Sequence, residues 1–269
     1  MSSFLHRSSA LSRSLPRQLS QNSWRFGPPI RRSCAMNRHF YSSLGSNRMD
    51  GFNPRQGMGF IWGLIGANVA VFAAVHASPS LSQKLTRDLP LSLKSVREGR
   101  YWTIITSGFT HFSGMHLIFN MIALHAFGRT LVYGARLPVP RLALLSVGSL
   151  ISGSAFFLVH EKRRERRFYN VQGIGASGMV MGLGAAAACL VPMQQMMVVI
   201  VPAPLFVVVA GYFAYDFWYL NQHTGTAHSG HLGGMAFGLL YYVLSLRKFG
   251  GVMGQRMIKS APPFWRGRR

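Results

Sequence analysis

The chain has 269 residues, 49% of them AVILMFWYC and only 13% charged, about half the charged fraction of a soluble globular domain. Its 29 Lys+Arg stand against six acids, Asp50, Asp88, Glu98, Glu161, Glu165 and Asp216, for a net charge of +23. The basic residues sit at the two ends and in short gaps between apolar runs, not on an amphipathic or aromatic-interleaved module, which argues against nucleic acid as partner and for a polytopic protein in a lipid bilayer.

Residues 1–49 hold eight arginines and twelve serines, with no lysine and no acid. They contain no apolar core of signal-peptide length. This composition is that of an organellar transit peptide, whose positive charge responds to a potential negative inside the organelle. "RHFYSS" (Arg38 to Ser43) resembles a mitochondrial presequence cleavage site. The expected destination is the mitochondrial inner membrane, with a plastid membrane as the alternative. Cleavage there would remove Cys34 and leave Cys189 as the single cysteine, so no disulfide framework is expected.

Six apolar runs then follow, each near the length that crosses a bilayer: Gly59–His76, Met115–Gly134, Leu142–His160, Gly173–Val191, Met196–Leu220 and Gly230–Leu246. Residues 50–246 are therefore expected to form a membrane domain. The connection at 77–114 includes "YWTIITSGFTHF", amphipathic enough to lie in the interface. "EKRRERR" (Glu161–Arg167) reads as a solvated turn. Residues 247–269 form a tail with seven basic residues and no acid.

Glycine spacing suggests which helices touch. Gly178 and Gly182 lie four apart in the fourth span, and Gly230, Gly234 and Gly238 repeat that interval in the sixth. Small residues so placed let helix backbones approach closely. His231 shares a helical face with Gly234 and Gly238. His116 and Asn120 are four apart in the second span, with His111 just before them, and Ser177 begins the fourth.

Ionisable and amide side chains inside a membrane normally line a cavity or find a partner. A serine becomes a nucleophile at neutral pH when a base takes its proton, and histidine is the usual base. A tetrahedral intermediate needs donors aimed at its oxyanion, a task for Asn, His and backbone N–H groups. Ser177, His231, Asn120 and His116 supply these groups. Asp216 lies fifteen residues before His231, near the far end of the fifth span, and so is not assigned to a triad; a Ser–His dyad is expected. His111, His116, His223, His228 and His231 form no HExxH pattern and have no carboxylate near them in sequence, so neither a metal nor a cofactor is expected.

"GASG" in the fourth span, "HLGGMAFG" in the sixth and "HFSGMHLIFN" before and into the second, in that order, resemble the rhomboid intramembrane serine proteases. The likeness covers about residues 58–246. It implies an all-α polytopic membrane protein, a six-transmembrane-helix bundle with an internal hydrophilic cavity. Carried over by position, Ser177 is the nucleophile and His231 the base. His116, Asn120 and the Ser177 backbone N–H form the oxyanion hole, Gly175 keeps the loop before the serine open, and His111 matches a histidine near the site. The implied substrates are transmembrane proteins whose helix is easily unwound.

Two positions depart from the family pattern. Thr103 follows Trp102 where many members have Arg, which puts the stability of the first loop in question. Met181 stands where many have an aromatic ring stacked on the catalytic histidine. A catalytically silent relative that binds or sorts membrane clients is the alternative to a protease.

Overall fold

The computed structural model describes residues 52–164, 171–198, 200–222 and 224–252. The proposed leader, the later part of the EKRRERR turn, His223 and the tail beyond Val252 lie outside them.

Capping sets the first boundaries. Helix α1, Pro54–Ala77, begins where the Asn53 side chain accepts the N–H groups of Arg55 and Gln56 at 3.0 and 3.4 Å. Pro54 sits in the first turn, where a missing N–H costs no helical bond. Ser78 ends α1 and caps α2, Pro79–Asp88. Ser92 and Ser95 cap one another reciprocally around α3, Leu93–Arg97. A single turn, α4, Thr103–Thr106, completes the first loop.

Helix α5, Gly114–Arg129, continues through a π-helical turn to Gly134. It is followed by α6, Val139–Arg164, and α7, Ser177–Leu190. Next comes an antiparallel hairpin, β1 (Gln195–Val198) with β2 (Val201–Pro204), in which Gln195 pairs with Pro204 and Val198 with Val201. Helix α8, Leu205–Trp218, and helix α9, His228–Tyr241, complete the helical set, and α9 extends through a π-helical turn to Leu246.

Six helices of fourteen or more residues are thus present among the described residues. Three stretches, Pro54–Ala77, Gly114–Gly134 and Val139–Arg164, are long and apolar enough to cross a membrane. Helices α7 and α8 are apolar and shorter, at 14 residues each, or about 21 Å of rise.

Two expected boundaries change. The fourth span does not start at Gly173, because residues 173–176 are a loop and helix α7 opens at Ser177 itself. The fifth does not run from Met196 as one helix. Its first part is the hairpin, whose β-branched residues suit a strand, and Pro204 immediately precedes the helix. Exposed apolar side chains are plentiful, among them Trp62, Phe119, Ile122, Phe213 and Leu244, as expected of helices whose outer faces meet lipid.

The centre is α7, which is flanked by α6 and α9, buries Met179, Val180, Leu183 and Leu190, and meets the backbones of its neighbours at glycines. A Cβ on Gly234 would overlap the Gly178 carbonyl, and one on Gly238 would overlap the Gly182 carbonyl. A Cβ on Gly182 would overlap Ser149 Oγ and come within 2.7 Å of the Gly234 oxygen. On α6, a Cβ on Gly153 would stand 2.8 Å from the Gly230 oxygen and 3.4 Å from Gly178 Cα. Gly153 was not singled out by the spacing argument, since it has no glycine four residues away in α6.

Candidate active site

Helix α7 begins at Ser177 because the chain arrives there through a left-handed glycine. Gly175 has φ +104°, and a Cβ on it would lie 2.6 Å from His116 Cε1 and 2.8 Å from His116 Nε2. Only glycine accepts both that dihedral and that approach. The expectation that Gly175 keeps the loop open is refined here: the residue lets the loop close tightly beneath an imidazole.

The loop is held from several sides. The Gly175 N–H donates to the Ser107 carbonyl at 2.8 Å, and Gly173 exchanges two backbone bonds with Leu91 at 2.8 and 3.0 Å. The Ala176 N–H donates to His111 Nε2 at 3.3 Å. His111 is fully buried; burial first, and neighbouring His116 second, push its imidazole down to about 4. It is therefore neutral at physiological pH, and Nε2 is free to accept.

The first α-helical bond of α7 runs from Val180 N–H to the Ala176 carbonyl at 2.9 Å. The N–H of Ser177 is one of the donors without an intrahelical partner, at the positive end of the helix dipole.

Ser177 and His231 line one cavity, together with Gly175, Gly178, Gly230 and Ser154. Both are partly buried. No hydrogen bond joins their side chains among the described residues, an arrangement common in unliganded sites, where catalytic bonds tighten on substrate binding. His116 packs edge-on against His111, with centroids 4.9 Å apart, and sits over Gly175. Asn120 is buried one turn along α5, where its Nδ2 donates to the His116 carbonyl at 2.9 Å. Neither His116 nor Asn120 lines the cavity wall that holds Ser177 and His231.

Asp216 corrects the sequence reading. Its Oδ1 lies 2.9 Å from His231 Nδ1 and 2.7 Å from His228 Nδ1, and its side chain is 1% exposed. Helices α8 and α9 are joined by only nine residues, 219–227, so the last turn of α8 stands beside the first turn of α9. The end of α8 that looked remote in sequence is the end nearest His231. Asp216 is thus a carboxylate neighbour in space of both His228 and His231, where none was expected from the sequence.

Asp216, His228 and His231 have metal-ligand chemistry. Their contact distances of 2.7 and 2.9 Å are nevertheless those of hydrogen bonds. Two ligands on a tetrahedral ion with bonds of about 2.0–2.1 Å would stand roughly 3.3 Å apart.

The two departures also resolve in structure. Thr103 is fully buried; its hydroxyl donates to the Arg100 carbonyl at 2.7 Å and meets Ser95 Oγ at 3.2 Å. Trp102 Nε1 donates to the Asp88 carbonyl at 3.0 Å. Arg100, three residues before Thr103, pairs with Glu98 at 2.6 Å and also bonds the Arg87 carbonyl. The loop thus has a cation and a satisfied hydroxyl without an arginine at 103. The ring beside His231 is not at Met181 but is His228, whose centroid lies 6.2 Å away at 84°. Tyr215 of α8 and Tyr219, the residue that follows the helix, pack against His228 in turn, at 5.5 and 6.0 Å.

The family model "Rhomboid domain" matches residues 98–248. Over 188 residues the chain is 30% identical to Rhomboid protein 1, mitochondrial, of Saccharomyces cerevisiae, covering 67% of this chain and 51% of that protein. It is 27% identical over 190 residues to RHOMBOID-like protein 12, mitochondrial, of Arabidopsis thaliana, covering 65% and 55%. Over 101 residues it is 38% identical to Rhomboid-like protein 16, chloroplastic, of the same plant, covering 37% and 30%. The chain spans about a third to a half of the length of these relatives. A family model matching more than half of the residues, on a helical membrane fold with Ser177 and His231 on one cavity, makes this chain a member of the rhomboid family.

Proposed function

We propose that the protein is an intramembrane serine endopeptidase of the mitochondrial inner membrane, cleaving transmembrane segments of membrane proteins. The observation that carries the reading is the shared cavity of Ser177 and His231, with a buried carboxylate on the Nδ1 side of that histidine. A carboxylate oxygen accepts and does not donate, so His231 Nδ1 carries the hydrogen and Nε2 keeps its lone pair. Nε2 takes the Ser177 proton as Oγ attacks the scissile carbonyl, and returns it to the leaving amine. The negative oxygen of the tetrahedral intermediate meets the Ser177 N–H at the start of α7. In this reading His116, which sits over the cavity-lining Gly175, and Asn120 one turn further along α5 become further donors when substrate binds, although neither lines the unliganded cavity. Water entering the cavity then hydrolyses the acyl-enzyme and returns Ser177 to its hydroxyl form.

The mitochondrial assignment rests on the arginine- and serine-rich leader together with the names of the yeast protein and of one Arabidopsis relative. Reconstituted protein with a transmembrane substrate tests the function in two arms, cleavage and pull-down. Wild type is expected to cleave, and Ser177→Ala to bind the substrate helix without cleaving it. Binding by wild type with no cleavage would favour the client-binding alternative.

A further inference from the structure

Four side chains form a hydrogen-bonded chain that a Ser–His dyad does not use. Thr224, exposed in the loop before α9, has its hydroxyl 2.6 Å from His228 Nε2. The His228 side chain is 1% exposed, and its Nδ1 lies 2.7 Å from Asp216 Oδ1. That same oxygen meets His231 Nδ1 at 2.9 Å. The other carboxylate oxygen, Oδ2, is buried with no hydrogen-bond partner among the described residues.

The direction of each bond follows from the chemistry. Both Nδ1 atoms carry hydrogens, because both meet a carboxylate oxygen. His228 Nε2 is then the acceptor, and the Thr224 hydroxyl donates to it. Among the described residues Oδ2 has no partner, and the two imidazoles that converge on Oδ1 orient the carboxylate. If His231 alone held it, the side chain could turn and present its charge elsewhere. His228 is itself fixed, by Thr224 on one side and by Tyr215 and Tyr219 on its faces.

We propose that Asp216 and His228 are positioning residues for His231: His228 clamps the Asp216 carboxylate, and the carboxylate sets the tautomer of the catalytic base and stabilises the imidazolium that forms on proton transfer. The proposal rests on the protease reading, and it extends the machinery from a dyad to a chain reaching the loop surface.

The test combines kinetics with nitrogen-15 histidine NMR on the full chain in micelles. In wild type, His231 and His228 are expected as Nδ1–H tautomers. Asp216→Asn keeps the size of the side chain but can turn an amide N–H toward His231. The His231 tautomer should then change, and kcat should fall at least about 10²-fold with KM little altered; the same change in a soluble Ser-His-Asp triad costs about 10⁴. His228→Phe removes one charge-assisted donor and should lower kcat about tenfold. His228→Asn places an amide N–H where Nδ1–H was and should recover most of that loss, a rescue that filling space would not give. Wild-type rates in Asp216→Asn and His228→Phe, or a His231 tautomer indifferent to Asp216→Asn, overturn the clamp. Cleavage retained in Ser177→Ala would instead remove the protease reading, and the tautomer measurement would still decide the clamp.

Discussion

In the proposed mechanism, single residues divide into those that act on the substrate and those that hold them in place. Asn120 belongs to the first group in the proposed mechanism, since its amide is to stabilise charge that exists only after attack. Asn120→Ala is expected to lower kcat between about tenfold and 10²–10³-fold with little change in KM, measured on a transmembrane substrate. His111 belongs to the second group. Its imidazole is neutral in the fold, with a value near 4 against an ordinary 6.5. The stability it lends the Ser177 loop is whole above about pH 6.5 and is lost as pH falls toward 4, where the ring must charge and release the Ala176 N–H. Thermal unfolding in micelles should show that loss in wild type and a smaller one in His111→Gln, whose amide oxygen accepts without titrating. Ser177 and His231, which share a cavity, stand out in sequence as polar groups in apolar runs, as do the candidates His116 and Asn120 at helical spacing. The pairing of Asp216 with His228 does not. Their meeting depends on where α8 stops and how short the following loop is, and an apolar window fixes neither.

Among elements, the glycine contacts decide how near α6, α7 and α9 can come. Gly178, Gly182, Gly234 and Gly238 meet backbone on both sides, and their spacing alone pointed to the pair of helices involved. Gly153 was missed because an isolated glycine has no periodic signature. Glycines in α1 are different: a Cβ on Gly59, Gly63 or Gly66 meets nothing within 4 Å. Gly63→Ala should therefore leave stability unchanged or slightly raised, as helix propensity favours alanine. Gly234→Ala should cost about 1–3 kcal/mol, because two backbones must separate. Gly234→Leu should also abolish cleavage without altering a catalytic atom. Equal stability of Gly63→Ala and Gly234→Ala, in thermal or denaturant unfolding, would show these contacts to be incidental. The hairpin at 195–204 was read as helix because "MMVVIV" is apolar at every position, which erases the period that separates strand from helix.

For the whole molecule, the basic leader and the apolar middle are expected to do different work. Deleting residues 1–45 is expected to leave the membrane domain folded and to misdirect it; normal mitochondrial arrival of the truncated protein would contradict the leader assignment. The most direct measurement addresses the nucleophile. Full-length protein in micelles is treated with a fluorophosphonate, and the adduct is located by mass spectrometry. The expected result is a single modified residue, Ser177, with labelling absent in Ser177→Ala and strongly slowed in His231→Ala. Folded wild-type protein that takes no label, or takes it equally with His231 removed, would contradict the assignment of Ser177 and His231 as nucleophile and base.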